Sequence, residues 1–341
     1  MTERKNKLEL LQAIINQAQT IVIIQADNPD SDSLGSALAL EHILGDLGKT
    51  IKLYCGVDMP AYLHYMSGWD RVSKDLSTDF DASILVDAST ITLLEKLQES
   101  GQISWLASKP NITLDHHEIV ENPVTFARVI INEPTASSTG ELIYRLAKEL
   151  KLNLTIDGQT NIMSAILGDT QGLSNQLASP YTYRVMAEML EAGVSRVNLE
   201  EQRRQFSKMP AVIYSYKADL IKRTEIDESG SVAVVLIPHE EIKSYSPLYN
   251  PAPLIQNDML QIEGLEVAIV IKSYNSGKLT GAIRTNPSAP IAAKLADHFG
   301  GGGHPNASGF KIDKNADTEA VKAEIVALSQ QMLKDLNNEN I

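Results

Sequence analysis

Residues 20–36 read TIVIIQADNPDSDSLGS, and the architecture of the first half of the chain follows from them. The β-branched run Thr20–Gln25 predicts a short buried strand, because such side chains pack well on a pleated surface. The following segment, Leu34–Gly48, repeats its apolar positions at helical spacing and predicts a helix. Asp27, Asp30 and Asp32 lie in the loop between the two elements. In a strand–loop–helix unit of this kind, functional groups gather at the carboxyl end of the strand.

The same alternation of strands and helices continues along the chain. Ala82–Val86 and Asn111–Leu114 are apolar runs, each followed by an aspartate. Amphipathic patterns predict helices at about 91–100, 138–150, 157–167 and 181–192. Such alternation predicts an α/β fold in which a parallel sheet carries helices on both faces.

The second half of the chain has a different pattern. Residues 198–223 are rich in charged and amide side chains and predict a connecting helix, kinked at Pro210. Beyond it, strands are predicted at 231–237, 267–273, 279–283 and 308–312, and helices at 291–299 and 318–337. These elements predict a second, smaller α/β domain. The predicted division is 1–195 for the first domain, 196–225 for a linker helix and 226–341 for the second domain.

Composition narrows the class of protein. The 341 residues include 30 lysines and arginines against 43 aspartates and glutamates, a net charge of −13. This balance argues against a protein that coats long nucleic acid, although metal ions could still hold a short anionic substrate. Cys55 is the only cysteine, so no disulfide framework is expected. With neither a signal peptide nor a long apolar segment in view, we predict a soluble, cytoplasmic protein without a membrane partner.

Four polar clusters fall at the ends of predicted elements: residues 27–32, Asp87, the triplet Asp115-His116-His117, and Asp169. Taken singly, each aspartate could be a structural cap or turn residue. An acid and two histidines at the end of a buried strand are harder to explain in that way, because their desolvation is costly unless something compensates it.

Together, the four clusters predict a metal site. Carboxylates and imidazole form a mixed oxygen and nitrogen donor set that suits a pair of divalent cations. Two such cations about 3.5–4 Å apart share a ligand and lower the pKa of a bridging water, so that hydroxide can attack phosphorus at neutral pH. The sequence therefore predicts hydrolysis of a phosphate ester.

At these residues the chain resembles the DHH phosphoesterase family, which is named for the triplet present here as Asp115-His116-His117. Segments 28–36, 86–88 and 168–170 also match the motifs of the family. In the second half, the run Gly301-Gly302-Gly303-His304 and the segment Ile283-Arg284-Thr285 resemble the DHHA1 substrate-binding module. The plan of two domains is most similar to bacterial enzymes that degrade very short oligoribonucleotides and dephosphorylate 3′-phosphoadenosine 5′-phosphate. Relatives cleave the linear dinucleotide made from cyclic di-AMP.

The resemblance also implies roles for individual residues. The implied ligands of one manganese ion are Asp32, Asp87, His116 and Asp169. Asp30 and Asp87 would hold the second ion, and magnesium is the alternative metal. His117 would lie beside the attacked phosphate, with Asp115 holding the histidine geometry. The implied substrate-binding residues are Arg284, Gly301, Gly302, Gly303 and His304, which offer a planar cation and close backbone N–H groups to a phosphate.

One position departs from the family pattern. Ala26 stands where family members usually carry a metal-binding histidine, so the metal held by Asp30 and Asp87 is expected to bind weakly. The alternative to an active enzyme is therefore a nucleotide-binding homologue with weak or no activity. An inorganic pyrophosphatase, which shares the first-domain motifs, ranks lowest because of the run at 301–304. The expected partner is a short oligonucleotide or nucleotide, and the helix faces would allow a homodimer without requiring one.

Overall fold

The computed structural model describes residues 2–117, 123–206, 208–246, 250–312 and 316–339. The chain divides into two compact units, residues 1–208 and 209–341. Within the described residues, no helix combines the length and the apolar character needed to cross a lipid bilayer.

The first unit is built on a six-stranded sheet whose strands are all parallel. In chain order the strands are β1 Thr20–Ile24, β2 Thr50–Tyr54, β3 Val72–Ser73, β4 Ala82–Val86, β5 Asn111–Asp115 and β6 Val129–Asn132. Their order across the sheet is β3-β2-β1-β4-β5-β6. The direction of winding therefore reverses between β1 and β4. In open α/β sheets the loops at the carboxyl ends of such a pair diverge and leave a crevice.

Helices cover both faces of this sheet, as the sequence predicted. They are α1 Thr2–Gln17, α2 Ser31–Asp46, α3 Glu95–Glu99, α4 Ile103–Ala107, α5 Thr139–Glu149, α6 Ile156–Asp169, α7 Pro180–Glu191 and α8 Arg196–Phe206. The strands are buried on both sides. In β1, Ile21 and Ile23 pack into one apolar core, whereas Val22 and Ile24 pack into the other. The near-continuous apolar runs of the sequence arise from this double burial.

Helices α2 and α6 approach each other almost to backbone contact. A Cβ atom added to Gly35 would lie 2.6 Å from the carbonyl oxygen of Asn161, and one added to Gly168 would lie 2.7 Å from the Cβ of Ser31. Only glycine fits at such a crossing. The close packing carries the carboxyl end of α6, where Asp169 lies, to the amino end of α2 at the carboxyl edge of the sheet.

Replacing Gly35 with alanine is expected to destabilise the protein by about 1–3 kcal/mol, because the added methyl group must push α6 away from α2. Gly45→Ala is the matched control on the same helix, since a Cβ atom there meets nothing within 4 Å. The control should be neutral or slightly stabilising, because alanine is the better helix former. Urea unfolding monitored by circular dichroism measures both variants. Equal stability of the two would contradict this description of the helix crossing.

The second unit contains another six-stranded sheet, of mixed direction. Its strands are β7 Glu225–Ile226, β8 Val232–Ile237, β9 Val267–Ser273, β10 Leu279–Thr285, β11 Gly302–His304 and β12 Ala307–Ile312. They are ordered β11-β12-β10-β9-β8-β7, and only β8 and β9 pair in parallel. Its helices are α9 Ala211–Arg223, α10 His239–Tyr245, α11 Pro251–Met259, α12 Ala292–His298 and α13 Thr318–Glu339. Two apolar cores lie on opposite faces of this sheet.

The structure differs from the sequence prediction between the two units. Instead of one kinked linker helix, α8 ends at Phe206 and α9 begins at Ala211, with Pro210 at its N-cap position. Proline has no N–H group and disfavours helical geometry in the residue before it, so the helix stops rather than bends. The segment predicted as a separate linker, 196–225, is consequently divided: α8 belongs to the first unit and α9 to the second.

Candidate metal centre

The loop after β1 positions two aspartates in different ways. Asp30 is the N-cap of α2, where its Oδ1 atom accepts hydrogen bonds from the backbone N–H groups of Asp32 and Ser33 at 2.9 and 3.0 Å. The Ser33 hydroxyl accepts the N–H of Asp30 in return, which completes a capping box. Asp30 therefore has a structural role in addition to any role in binding.

Asp32 is fully buried and is held by the first turn of α5. Its Oδ2 atom accepts the backbone N–H of Thr139 at 2.7 Å, and its Oδ1 atom accepts that of Gly140 at 2.9 Å. The hydroxyl of Ser36 donates to the same Oδ1 atom at 3.1 Å. The unpaired N–H groups at a helix start carry partial positive charge, so α5 fixes this carboxylate in place.

Asp87 follows β4 directly, at the edge of the crevice. Its backbone has φ 55°, in the left-handed region that non-glycine residues seldom adopt. Backbone strain of this kind often accompanies a functional site. The hydroxyl of Thr139 lies 3.4 Å from its Oδ1 atom. The first turn of α5 therefore contacts both Asp32 and Asp87.

His116 is surrounded by carboxylates. Its Nε2 atom lies 3.0 Å from Oδ2 of Asp169, 3.6 Å from Oδ2 of Asp32 and 3.9 Å from Oδ1 of Asp87. On the other side of the ring, Nδ1 lies 3.3 Å from the carbonyl oxygen of Ala136. Because a carbonyl can only accept, Nδ1 carries the proton, and in the neutral ring the lone pair of Nε2 faces the carboxylates. This is the tautomer that a histidine needs in order to bind a metal.

Asp115 serves the two histidines rather than the carboxylate cluster. Its Oδ1 atom accepts the ring Nδ1–H of His117 at 2.7 Å and the backbone N–H of His116 at 2.7 Å, and its Oδ2 atom accepts the N–H of Ser89. These bonds outweigh burial and lower the pKa of Asp115. The side chain of His117 is about half exposed, and its Nδ1 atom lies 3.6 Å from Asp87.

Two groups of three side chains emerge, and they share His116. Asp32, His116 and Asp169 form one, and Asp87, His116 and His117 form the other, with the ligand atoms of each group within 4.8 Å of one another. The structure thus brings together six of the seven site residues predicted in the first unit, counting Asp115 as the support of His117. Asp30 is in neither of these two groups, which were found among the described residues.

The electrostatics of the cluster favour a bound cation. Burial, followed by the charges of neighbouring aspartates, raises the pKa of both Asp32 and Asp87. Burial lowers the pKa of His116, but its bond to Asp169 and the surrounding negative charge outweigh burial and raise the pKa to about 9. The ion pairs found among the described residues bring no lysine or arginine to these carboxylates. The residues present fit a divalent metal ion, which would supply the missing positive charge.

Neither candidate ligand group contains a histidine that replaces the one missing at Ala26: among the described residues, their histidines are His116 and His117. Ala26 is buried in the apolar core on one face of the sheet, and its carbonyl oxygen accepts the Cys55 thiol. The adjacent carboxylate of Asp27 accepts the backbone N–H of Lys96 at 2.8 Å and so caps α3 instead of joining the cluster. Asp27 is therefore not a member of either candidate ligand group.

The predicted substrate-binding residues of the second unit lie on either side of β12, with Arg284 on β10 and residues 302–304 on β11. Ala307 of β12 pairs with Arg284 of β10 on one side and with His304 of β11 on the other. The Arg284 side chain is exposed, whereas that of His304 is outside the described part of the structure.

Two of the predicted glycines have a packing role. A Cβ atom on Gly301 or Gly303 would come within 3 Å of the β12 backbone, whereas one on Gly302 would meet open space. Gly303 also has a positive φ of 142°. Close strand packing therefore explains two of the three glycines without a ligand.

Sequence reasoning missed the residues that hold the carboxylates. Thr139, Gly140 and Ser36 had no assigned role, because two of their four contacts use backbone N–H groups that any residue could offer and the other two use ordinary hydroxyls. The available signal was the sequence Ser138-Thr139-Gly140 at the start of a predicted helix, where Ser138 is the N-cap.

An α/β sheet that gathers carboxylates and imidazoles at its switch point has the architecture of a metal-dependent hydrolase. Residues 20–168 match the DHH family, N-terminal domain, and residues 252–335 match the DHHA1 domain. The chain belongs to the DHH family, with a DHHA1 domain as its second unit, and it is a phosphoesterase of that family.

Individual relatives agree with this assignment. The chain is 25% identical, over 90% of its length and 88% of the relative, to the bifunctional oligoribonuclease and PAP phosphatase NrnA of Thermus thermophilus. An exopolyphosphatase-related protein from Bacteroides fragilis has the same fold, with a TM-score of 0.84, 20% identity and 97% of each chain covered. RecJ from Thermus thermophilus, solved with Mn²⁺, aligns with 96% of this chain and 54% of its own, at 16% identity and a TM-score of 0.54.

Proposed function

We propose that this protein hydrolyses short oligoribonucleotides, dinucleotides or 3′-phosphoadenosine 5′-phosphate, using a divalent metal such as manganese or magnesium. The observation that carries the proposal is the pair of side-chain groups around His116, which combine buried carboxylates with imidazole. The similarity to an oligoribonuclease and PAP phosphatase along nearly the whole chain supports the choice of substrate class.

The residues around His116 have separate roles in this proposal. Asp32, Asp87, His116 and Asp169 would hold one cation, and Asp30 at the amino end of α2 would hold a second together with Asp87. A bound divalent cation lowers the pKa of water and neutralises charge on a phosphate. Asp115 fixes Nδ1 of His117, so the Nε2 atom of that half-exposed ring is free to donate to a phosphate oxygen. The bond to Asp115 raises the pKa of His117, which favours the protonated, donating form.

We assign the recognition of substrate phosphates to the second unit. Arg284 offers a planar guanidinium that can bind two phosphate oxygens at once. Gly302 leaves open space beside its backbone, where an anion can approach an N–H group. Gly301 and Gly303 let the chain pack closely against β12, and His304 completes the predicted set.

The direct test is the release of mononucleotides from RNAs of two to five residues in the presence of Mn²⁺, followed by chromatography. A parallel assay measures phosphate released from 3′-phosphoadenosine 5′-phosphate. We expect turnover with Mn²⁺, no turnover after chelation, and poor cleavage of long RNA, which the net charge of −13 repels. Folded, metal-loaded protein that releases neither product would contradict the proposal.

The second candidate is a nucleotide-binding protein with an impaired metal site, and Ala26 is the observation that favours it. The two candidates differ in metal content and in turnover. One ion per chain together with nucleotide binding but no cleavage would favour the binding protein. Cleavage at any stoichiometry would favour the enzyme.

Replacing Ala26 with histidine is expected to raise both the Mn²⁺ content and kcat/KM, the latter by about tenfold, because an added imidazole ligand of this type contributes on the order of 1–2 kcal/mol. Ala26 is buried, so the larger ring should also cost about 1–3 kcal/mol of stability. Metal analysis and steady-state kinetics measure the gain, and thermal unfolding measures the cost. Ala26→Leu, of similar bulk and without a ligand atom, is the control. If the histidine variant gains no more metal than the leucine variant, another group already fills the role.

A further inference from the structure

Tyr62 is a partly exposed aromatic side chain next to the metal-binding loop. The residue is 53% exposed, and its hydroxyl donates to the carbonyl oxygen of Pro29 at 3.0 Å. Pro29 immediately precedes Asp30, the N-cap of α2. Burial raises the pKa of Tyr62, and the charge of Asp30 raises it further. The phenol therefore lies beside the loop that carries Asp30 and Asp32.

The backbone around Tyr62 is fixed. Tyr62 lies in a single 3₁₀ turn, Ala61–Leu63, that begins after Pro60. Leu63 and Met66 are buried in the main core of the first unit, and the backbone N–H of Met66 donates to the Leu63 carbonyl. Buried neighbours thus hold the turn, and the hydrogen bond to Pro29 holds the far end of the ring. A rigid ring with an open surface loses little entropy when a ligand stacks on it.

We propose that Tyr62 is a stacking platform for a nucleobase of a substrate whose phosphate is held at the Asp32–His116–Asp169 centre. This inference rests on the proposed function, because it requires a nucleotide at that centre. Stacking on tyrosine is tolerant of base identity, since every base has a π-face. The platform would therefore give affinity for nucleotides in general over other phosphate esters, without reading sequence.

The hydrogen bond from its hydroxyl to Pro29 suggests a different role, in which Tyr62 only holds the loop that carries Asp30 in place. Two variants separate the roles. Tyr62→Phe keeps the ring and removes the hydrogen bond to Pro29, whereas Tyr62→Ala removes both. Each variant is assayed with two substrates: a 5′-phosphorylated RNA dinucleotide, and the same molecule with abasic riboses, which has no base to stack. Tyr214→Ala removes a 70% exposed tyrosine from α9 and is the control for loss of an aromatic side chain.

If Tyr62 is a stacking platform, Tyr62→Ala lowers kcat/KM for the normal dinucleotide by about 5- to 150-fold, mainly by raising KM. A loss of this size corresponds to the usual effect of losing one stacked base. Tyr62→Phe and Tyr214→Ala stay within about twofold of the wild type, and the abasic substrate is cleaved equally by wild type and Tyr62→Ala. Unchanged Mn²⁺ affinity in Tyr62→Ala shows that the loop carrying Asp30 is intact. A phenylalanine variant as impaired as the alanine variant overturns the proposal, as does an equal loss on the abasic substrate.

Failure of the proposed function would be recognised separately, as absence of product from every substrate with the wild-type protein. Stacking is then measured by the binding of a dinucleotide in which the fluorescent base 2-aminopurine replaces one base. Fluorescence quenching by wild type and by Tyr62→Phe, but not by Tyr62→Ala, supports the platform. Equal quenching by all three proteins, or no quenching by the wild type, overturns the stacking proposal.

Discussion

Asp87→Asn is expected to lower kcat by about a thousandfold, which corresponds to roughly 4 kcal/mol of lost transition-state stabilisation. Asp87 is the carboxylate that approaches both histidines, at 3.9 Å from His116 and 3.6 Å from His117. Asparagine has the same shape but no charge, so it weakens the hold on a cation. Asparagine is also among the residues that best tolerate a left-handed backbone, so φ 55° should be retained.

The experiment combines steady-state kinetics at saturating Mn²⁺ with metal analysis of the purified variant. Asp79→Asn is the control, because the side chain of Asp79 is 96% exposed and lies outside the cluster. The control should retain wild-type kcat. If Asp87→Asn keeps more than a tenth of the wild-type rate with normal metal content, Asp87 has no direct part in the reaction.

At a fixed Mn²⁺ concentration, set to a thousand times the Kd at pH 7, manganese is expected to stabilise the fold by about 4 kcal/mol. At that same concentration the stabilisation should grow as the pH rises, because the ligands lose protons and the Kd falls. The raised pKa values of Asp32 and Asp87 mean that the metal-free folded chain keeps protons that the unfolded chain releases above the ordinary value of 3.8. The same holds for His116, between the ordinary value of 6.5 and about 9. A folded state that binds more protons loses stability with rising pH, so the metal-free protein weakens across this whole window.

A bound cation replaces those protons, so the stability lost by the metal-free form is restored. Thermal unfolding at pH 5, 7 and 9, with chelator or with Mn²⁺, measures the difference at each pH. His298→Gln is the control for the loss of a histidine outside the cluster, because His298 is exposed and pairs with Glu324. It should leave the metal-dependent difference unchanged. A difference that is independent of pH would show that the cluster does not exchange protons for metal.

The sequence predicted the central part of the first sheet, and the physical reason is clear. Strands β1, β4 and β5 are buried on both faces, so they stand out as apolar runs followed by or ending in an aspartate. The outer strands β2, β3 and β6 were missed. In β2 the first three residues are exposed or half-buried, and β3 has only two residues, so neither has a strong apolar pattern.

The candidate site was predictable in part, for a similar reason. Side chains with special chemistry, such as His116 and Asp87, are visible in a sequence. Their supports are not, because Thr139 and Gly140 hold Asp32 through backbone amides from more than a hundred residues away. The position of Asp169 depends on the tight crossing at Gly35 and Gly168, and no local pattern reports how near two helices come. The sequence allowed a capping role for any aspartate of the loop, and the geometry shows that Asp30 is the residue that caps α2.

The hydrogen bonds from α5 to Asp32 also affect the rate at which a metal ion can bind at the centre. Amide and hydroxyl donors orient this acid, so an arriving ion would meet a carboxylate that is already held in place. The slow event would then be the loss of the ion's own hydration shell. Magnesium gives up its water reluctantly. Of two ions offered at equal concentration, the one that dehydrates more readily should enter first, whichever of them is held more tightly at equilibrium.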